Sequence, residues 1–437
     1  MKIAIIGAGW AGMAAAVAAT QAGHHAIVFE ATHALGGRAR GLHGTLPNGT
    51  PVMLDNGQHI LIGAYSDTLR LMRLVGVDPD AALQSQPMTL LFPDNKGLRF
   101  PAWPTPLDAL AGILSARGWT LADKLSLLRV ATGWQWQGFQ CDPHASVAKL
   151  CQRVSPRVMA ELIEPLCVSA LNTPAERASA TVFLRVLKDA LFGAQGGSRL
   201  LLPRVDLSTL FPAAAAHWLA RQGGQVQVGT RVQAIEQQGA HWRVHGQVFD
   251  AVLLATSASE STRAIDQLAQ AATDSIAKKI QQWTAITRAL QFESIATVYA
   301  WAPGARLAHP MLTLRSYASQ DIATAAPAQF VFDRGQLGGP SGLLAFVVSA
   351  STGNRDTLQA QVLAQAQHQL GLTLHPVQTV IEKRATFACT PGLQRPALQI
   401  APGLFACGDY VEGPYPATLE GAVRSGLAAV AALRPGR

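Results

Sequence analysis

The most constraining feature of this chain is at its start. Gly7-Ala8-Gly9-Trp10-Ala11-Gly12 is a GxGxxG set between a β-branched run, Lys2 to Ile6, and an Ala-rich helical stretch, Met13 to Gln21. Ala26 to Glu30 is apolar again and ends on a carboxylate, so the first thirty residues read as one βαβ unit. In such a unit Gly7 permits the tight turn, Gly9 lets backbone approach a pyrophosphate and Gly12 lets the helix close on the strand. The helix N-terminus adds partial positive charge. Glu30 stands where a carboxylate accepts hydrogen bonds from ribose hydroxyls and repels a 2′-phosphate. Ile3 to Ala19 is almost free of charge and follows a basic Lys2, as a signal peptide or short membrane span does, but its glycine spacing belongs to a nucleotide-binding turn.

Two further elements extend the pattern. Leu35-Gly36-Gly37-Arg38 offers close backbone approach at Gly37 and a cation at Arg38. Cys407-Gly408-Asp409 ends an apolar strand, and a helix begins after Pro416, with Thr418 and Leu419 at its start. A second glycine-terminated strand feeding a second helix can hold the other half of a dinucleotide. Asp409 is placed for a sugar hydroxyl, and the helix N-terminus favours negative charge.

Between these ends, irregular backbone is expected from Gly36 to Pro51 and a buried strand with a glycine turn from Val52 to Ile62. Asp67 to about Gly193 reads as mostly helical, with apolar spacing at Leu121, Leu125 and Leu128 and again from Val147 to Leu166. Short strands are expected at Val226 to Val228, Thr230 to Ile235, Trp242 to Val244 and Ala251 to Ala255. Others are expected at Phe292 to Tyr299, Phe330 to Phe332 and Leu343 to Ser349, with a helix over Asp356 to Leu370. A length of 437 residues exceeds one ordinary domain, and 49% apolar against 14% charged residues excludes a disordered chain.

The net charge of +8 permits attraction to phosphates or anionic lipid, but no basic run interleaved with aromatics points to nucleic acid. Five cysteines without a CxxC pair argue against a disulfide framework or a zinc knuckle and suit a reducing compartment. His241 and His245 have a metal-like spacing, but on a strand their rings lie about 13 Å apart, so no metal site is expected.

The GxGxxG, Gly36-Gly37-Arg38, the stretch Thr230-Arg231-Val232 with Ala251 to Thr256, and the C-terminal Gly-Asp helix together resemble the FAD-containing amine oxidase and phytoene desaturase superfamily across nearly the whole chain. Leu54 to Tyr65, Glu164-Pro165-Leu166 with Leu171-Asn172-Thr173, and Pro416 to Gly426 are similar to squalene-associated FAD-dependent desaturases, the hydroxysqualene dehydroxylases of squalene and hopanoid synthesis. The loop Tyr410 to Tyr415 is where the likeness transfers least.

The resemblance implies an α/β fold. A Rossmann-like, glutathione-reductase-like FAD-binding domain would be made of 1–66, 196–262 and 396–437, and an inserted α+β substrate domain with a helical part of 67–195 and 263–395. It implies FAD held by Gly7, Gly9, Gly12, Glu30, Gly37, Arg38, Val232 (backbone to adenine), Gly408, Asp409 (ribityl chain), Thr418 and Leu419 (flavin pyrimidine edge).

The implied reaction replaces an allylic hydroxyl of a long-chain isoprenoid, hydroxysqualene, with hydrogen. His59, Glu164, Glu412 and Tyr415 are the candidate proton donors, His59 for its titration range and Asp55 more as a turn brace. The electron donor to FAD is not readable. Two other readings stay open: a carotenoid-type desaturase or amine oxidase running the flavin oxidatively, and a prenyl-lipid carrier of the escort type. The carrier is disfavoured because Gly7, Gly9, Gly12, Glu30, Arg38 and Asp409 are all present.

Leu90 to Trp136 mixes Phe92, Phe100, Trp103, Ile113, Leu114, Trp119, Trp134 and Trp136 with Arg99, Arg117, Lys124 and Arg129. Such a stretch either faces lipid or lines a core. The first alternative, with a greasy substrate, implies a cytoplasmic protein peripherally associated with the cytoplasmic membrane.

Overall fold

The computed structural model describes residues 1–104, 106–193, 195–271, 274–317, 319, 321–322 and 324–433. Lys2–Ile6 is a central strand of a six-stranded sheet, in the order Gln225–Gln227, His25–Phe29, Lys2–Ile6, Ala251–Leu254, Leu404–Ala406, Gln399–Ala401. The first five run parallel and the last is antiparallel. Parallel strands covered on both faces read as continuous apolar runs, which is why Lys2–Ile6 and Ala251–Leu254 show no alternation.

The helix Trp10–Gln21 is buried almost all round because its residues are small. A Cβ on Gly426 of the helix Leu419–Ala431 would lie 2.3 Å from the Ala11 carbonyl oxygen, so these two helices meet backbone to backbone. Glu420, fully buried on the same helix, accepts from the amides of Asp67 and Thr68 (3.1 and 2.9 Å) and from the Thr68 hydroxyl (2.6 Å). It thereby caps the helix Ser66–Leu74, whose own N-cap residue, Tyr65, supplies no side-chain bond.

A second sheet is antiparallel throughout, in the order Met311–Thr313, Phe330–Asp333, Leu343–Ser349, Phe292–Trp301, His375–Phe387. Its two faces separate by residue parity. Ala296, Val298 and Ala300 with Leu344, Phe346 and Val348 pack in the core formed with the helix Arg355–Leu370. Ile295, Thr297 and Tyr299 with Val347 and Ser349 point the other way, and the pairs Phe330↔Val347 and Ile295↔Ser349 put Phe330 on that face as well.

Several sequence expectations need correction. Thr230 to Ala234 carries no strand; the strand begins at Ile235 (Ile235–Gln238) and forms a meander with His241–Val244 and Gln247–Phe249. Within Gly36 to Pro51, Gly41–Thr45 is a strand paired with Pro51–Asp55. The stretch after Asp67 holds the helices Leu107–Ser115, Leu121–Trp136, Glu164–Leu171 and Ala180–Phe192, but also the strands Leu83–Gln86, Thr89–Leu91 and Gly97–Arg99. Leu83–Gln86 shares the strand Leu200–Pro203 with Leu61–Ile62, so one small sheet crosses the boundary drawn at residue 66.

Candidate active site

The glycine loop is held from three sides. Gly7 has φ +108° and donates its N–H to the Phe29 carbonyl at 2.8 Å, and a Cβ there would lie 2.6 Å from the Ala255 carbonyl oxygen. A Cβ on Gly12 would stand 2.0 Å from the Gly7 carbonyl oxygen, so the helix touches the turn that launches it. Gly9 is the N-cap residue of Trp10–Gln21 without a side-chain cap, which leaves the amides of the first turn free for an anion.

Glu30 has a role that its spacing did not show. One carboxylate oxygen accepts from the Ala8 amide at 2.8 Å, and the other accepts from the Thr32 amide and hydroxyl at 2.9 Å. It braces the loop and also lines the cavity. Gly36 donates to the Ala8 carbonyl at 2.9 Å, which brings Gly37 face to face with Gly9 and delivers Arg38 into the site. Arg38 donates to the Ala385 carbonyl at 2.7 Å and forms an ion pair with Asp409.

These residues line one cavity of about 530 Å³. Gly7, Gly9, Glu30, Gly37, Arg38, Val232, Gly408, Asp409, Thr418 and Leu419 all reach it; Gly12 lies behind it, between helix and strand. Thr418 caps the helix Leu419–Ala431 by accepting from the Gly421 amide at 3.0 Å, so a second helix N-terminus opens on the same space. The exposed first-turn amides of Trp10–Gln21, the Gly9–Gly37 approach that any Cβ would narrow, and the carboxylates at Glu30 and Asp409 together suit a long, doubly phosphorylated dinucleotide.

Of the proton-donor candidates, only His59 lines the cavity. Its Nδ1 lies 2.7 Å from the Gly57 carbonyl oxygen, which can only accept, so Nδ1 carries the hydrogen and Nε2 bears the lone pair. Burial pushes the ring below its ordinary value of 6.5; the Gly57 bond opposes this and the charge of Arg38 adds to it. The sequence expectation of an imidazolium ready to donate near neutrality therefore needs revising, because the resting ring is a neutral acceptor.

Glu164 lies one turn before Val168, a lining residue, but its carboxylate turns to the Ala175 amide at 3.3 Å. Burial, helped by Glu176, raises its pKa. Glu412 is exposed, and its amide donates to the Pro396 carbonyl. Tyr415 sits edge-on to Tyr65, under the guanidinium of Arg424, and does not line the cavity. Asp55 is buried and accepts from the Leu207 amide at 2.8 Å; burial pushes its carboxyl up to about 7, opposed by the Leu207 bond and by Arg334.

Asn56 and Asn172 are lining residues not assigned from sequence. Asn56 accepts from the Arg40 amide and donates to the Arg38 carbonyl, which fixes the Gly-Gly-Arg turn. Asn172, left-handed at φ +46°, accepts from the Ala350 amide and donates to the Thr386 hydroxyl. Their neighbours were visible, but the partners of Asn172 are remote in the chain and left no local signal. An apolar patch of Ile60, Val168, Ile295, Phe330, Phe332 and Val347 shares the wall with the neutral polar side chains of Gln58, Ser349 and Thr386.

Among the described residues no cluster of three or more His, Cys, Asp or Glu side chains could hold a metal ion. His241 instead pairs with Asp250, while the ring of His245 packs against Phe29.

Known proteins resemble this chain in sequence and in fold. The chain is 27% identical to a hydroxysqualene dehydroxylase of Rhodopseudomonas palustris over 97% of this chain and 96% of that one. It is 25% identical to one of Zymomonas mobilis, covering 97% of each. An oxidoreductase from Methanosarcina mazei superposes with a TM-score of 0.70 at 15% identity, over 99% of this chain and 100% of that one, which shows a common fold. The family described as flavin containing amine oxidoreductase matches residues 10–434. The chain belongs to that family, and it is an FAD-dependent oxidoreductase.

Proposed function

We propose that this protein is a hydroxysqualene dehydroxylase of squalene and hopanoid synthesis, converting an allylic thirty-carbon alcohol to squalene and water. In the balanced step the C–O bond breaks, the hydroxyl leaves with one proton as water, and a hydride forms the new C–H bond. Bound FAD, in its reduced form, supplies that hydride. Gly9, Gly37, Arg38, Val232 and Asp409 are the residues that would hold it.

The observation that carries this reading is the division of the cavity. One part is glycine backbone, Arg38 and Asp409, and another is the apolar patch of Ile60, Val168, Ile295, Phe330, Phe332 and Val347, with the neutral polar side chains of Gln58, Asn172, Ser349 and Thr386 also in the lining. His59 stands at the join: its ring feels the charge of Arg38, and Ile60 follows it directly in the apolar wall. An unhydrated allylic cation survives only where water is excluded, and aliphatic and Phe side chains exclude it without offering a nucleophile.

His59 Nε2 accepts a hydrogen bond from the alcohol and orients it. Protonated from solvent, the same nitrogen donates that proton, additional to the alcohol's own, to the departing oxygen. Likeness to relatives bearing that enzyme name over their full lengths supports the choice of substrate. The test is anaerobic incubation of the flavin-loaded protein, chemically reduced, with hydroxysqualene. Squalene is expected; its absence, or turnover of phytoene or amines under air instead, overturns the reading.

A further inference from the structure

The helix Leu121–Trp136 has two apolar faces. Asp123, Leu127 and Trp134 are buried, with Val130 beside them, and follow one another at spacings of three and four. Leu121, Leu125 and Leu128, at spacings of four and three, lie on the opposite side with Trp136 two turns on, and Leu121, Leu125 and Trp136 are 78%, 64% and 87% exposed. A helix whose core face is already satisfied and whose outer face is still apolar needs something to cover that face.

The neighbouring helix Leu107–Ser115 does the same. Leu107, Leu110 and Leu114, at i, i+3 and i+7, are 56%, 44% and 54% exposed. Lys124 Nζ donates to the Leu114 carbonyl at 2.6 Å, so the two outer faces adjoin. The stretch divides residue by residue: Phe92, Phe100, Trp119 and Trp134 are core, while Trp103, Leu114 and Trp136 face outward.

Charge selects the occupant. From Arg99 to Trp136 the acidic residues are Asp108 and Asp123, and both are buried, on Ser198 and in the capping box of Thr120. The basic ones, Arg99, Arg117, Lys124 and Arg129, lie at the surface or partly so, and on the helical projection Lys124 and Arg129 fall on either side of the leucine stripe. Long cationic side chains flanking an aliphatic and Trp face are the pattern of a helix lying in the headgroup region of an anionic bilayer. A symmetric dimer across this face would bring one basic rim against the other. No helix among the described residues is long and apolar enough to cross a membrane, so this element could lie on a bilayer but not span it.

We propose that the helix pair Leu107–Ser115 and Leu121–Trp136 is a docking platform for an anionic lipid surface. The platform is joined to the cavity wall. The indole N–H of Trp119, between the two helices, donates to Glu161 at 2.9 Å. Glu161 lies in the π-helical turn Met159–Ile163 that runs on into Glu164–Leu171, whose Val168 and Ala170 line the cavity.

The test is flotation of the flavin-loaded protein with phosphatidylcholine vesicles, with and without phosphatidylglycerol. The protein is expected to float with the phosphatidylglycerol vesicles and to do so less at high salt. The Leu121→Glu/Leu125→Glu variant is expected to lose about tenfold or more in partitioning, and Arg117→Glu/Arg129→Glu to lose its preference for the anionic vesicles. Flavin absorbance checks that each variant is folded. The proposal is overturned if the wild-type protein floats with neither vesicle, or if the double leucine variant floats as well as wild type. It is equally overturned if light scattering shows a wild-type dimer that the leucine variant dissolves without any change in flotation. No substrate enters the assay, so its outcome is independent of the reaction proposed above.

Discussion

Arg38 donates from Nη2 to Oδ1 of Asp409 across 371 residues of chain, and from Nη1 to the carbonyl of Ala385. One guanidinium thus ties the Gly-Gly-Arg turn to the second sheet and to the C-terminal Gly-Asp turn, so three distant stretches meet beside Gly9 and Gly37.

Asp409→Ala is expected to strand that guanidinium and weaken FAD retention by about 1–3 kcal/mol, a range discounted for the partial exposure of Arg38. Arg38→Lys should give a smaller loss, since an ammonium cannot serve Asp409 and Ala385 as a planar fork does. Flavin-to-protein absorbance after gel filtration reads both; full retention in Asp409→Ala would contradict the assignment.

Gly426→Ala should cost about 1–3 kcal/mol through the clash at 2.3 Å with the Ala11 carbonyl. The lower melting temperature should be accompanied by easier flavin loss, because Trp10–Gln21 and Leu419–Ala431 open on one cavity. Gly223→Ala, at φ +81° but with open space around a Cβ, should show only the strain of its positive φ and leave flavin binding alone.

His59→Gln should lower turnover by roughly 10²–10⁴ while FAD stays bound. Burial holds the imidazole below 6.5, so its protonated fraction grows only as the pH falls. If Nε2 supplies the proton, wild-type turnover rises on acidification through that region and the variant profile is flat. A wild-type rate independent of pH there would assign the proton to another group.

Asp55 keeps its proton up to about pH 7 in the folded chain against 3.8 for the unfolded one. Between those values the folded state binds more protons, so raising the pH through this window lowers stability. Asp55→Asn can still accept from the Leu207 amide and should flatten the decline, by on the order of a few kcal/mol across the window. Melting temperatures against pH for the two proteins provide the comparison; parallel curves would refute it.

The parts of the fold legible in the sequence were those with local causes. Gly7, Gly9 and Gly12 sit where the turn and two close approaches demand them, and Asp409 reaches Arg38 as a dinucleotide site at the two chain ends requires. The strand His375–Phe387 was missed because it is the last of its sheet: an edge tolerates Pro376 and the charges of Glu382, Lys383 and Arg384, which blur any alternation. The helices Ala258–Ala271 and Asp274–Arg288 were also passed over. For Glu164, Glu412 and Tyr415, motif position carried no information about side-chain surroundings: Glu164 turns to the Ala175 amide, Glu412 lies at the surface and Tyr415 packs on Tyr65.

The close seating of Gly426 on Ala11, with Glu420 clamping Thr68, has a consequence for biogenesis. During synthesis the Ala-rich helix at the front must wait, one flank bare, until the partner that covers it has left the ribosome. The slot is complete only once Leu419–Ala431 has docked on Trp10–Gln21, so trimming that helix should be as damaging as deleting the glycine turn.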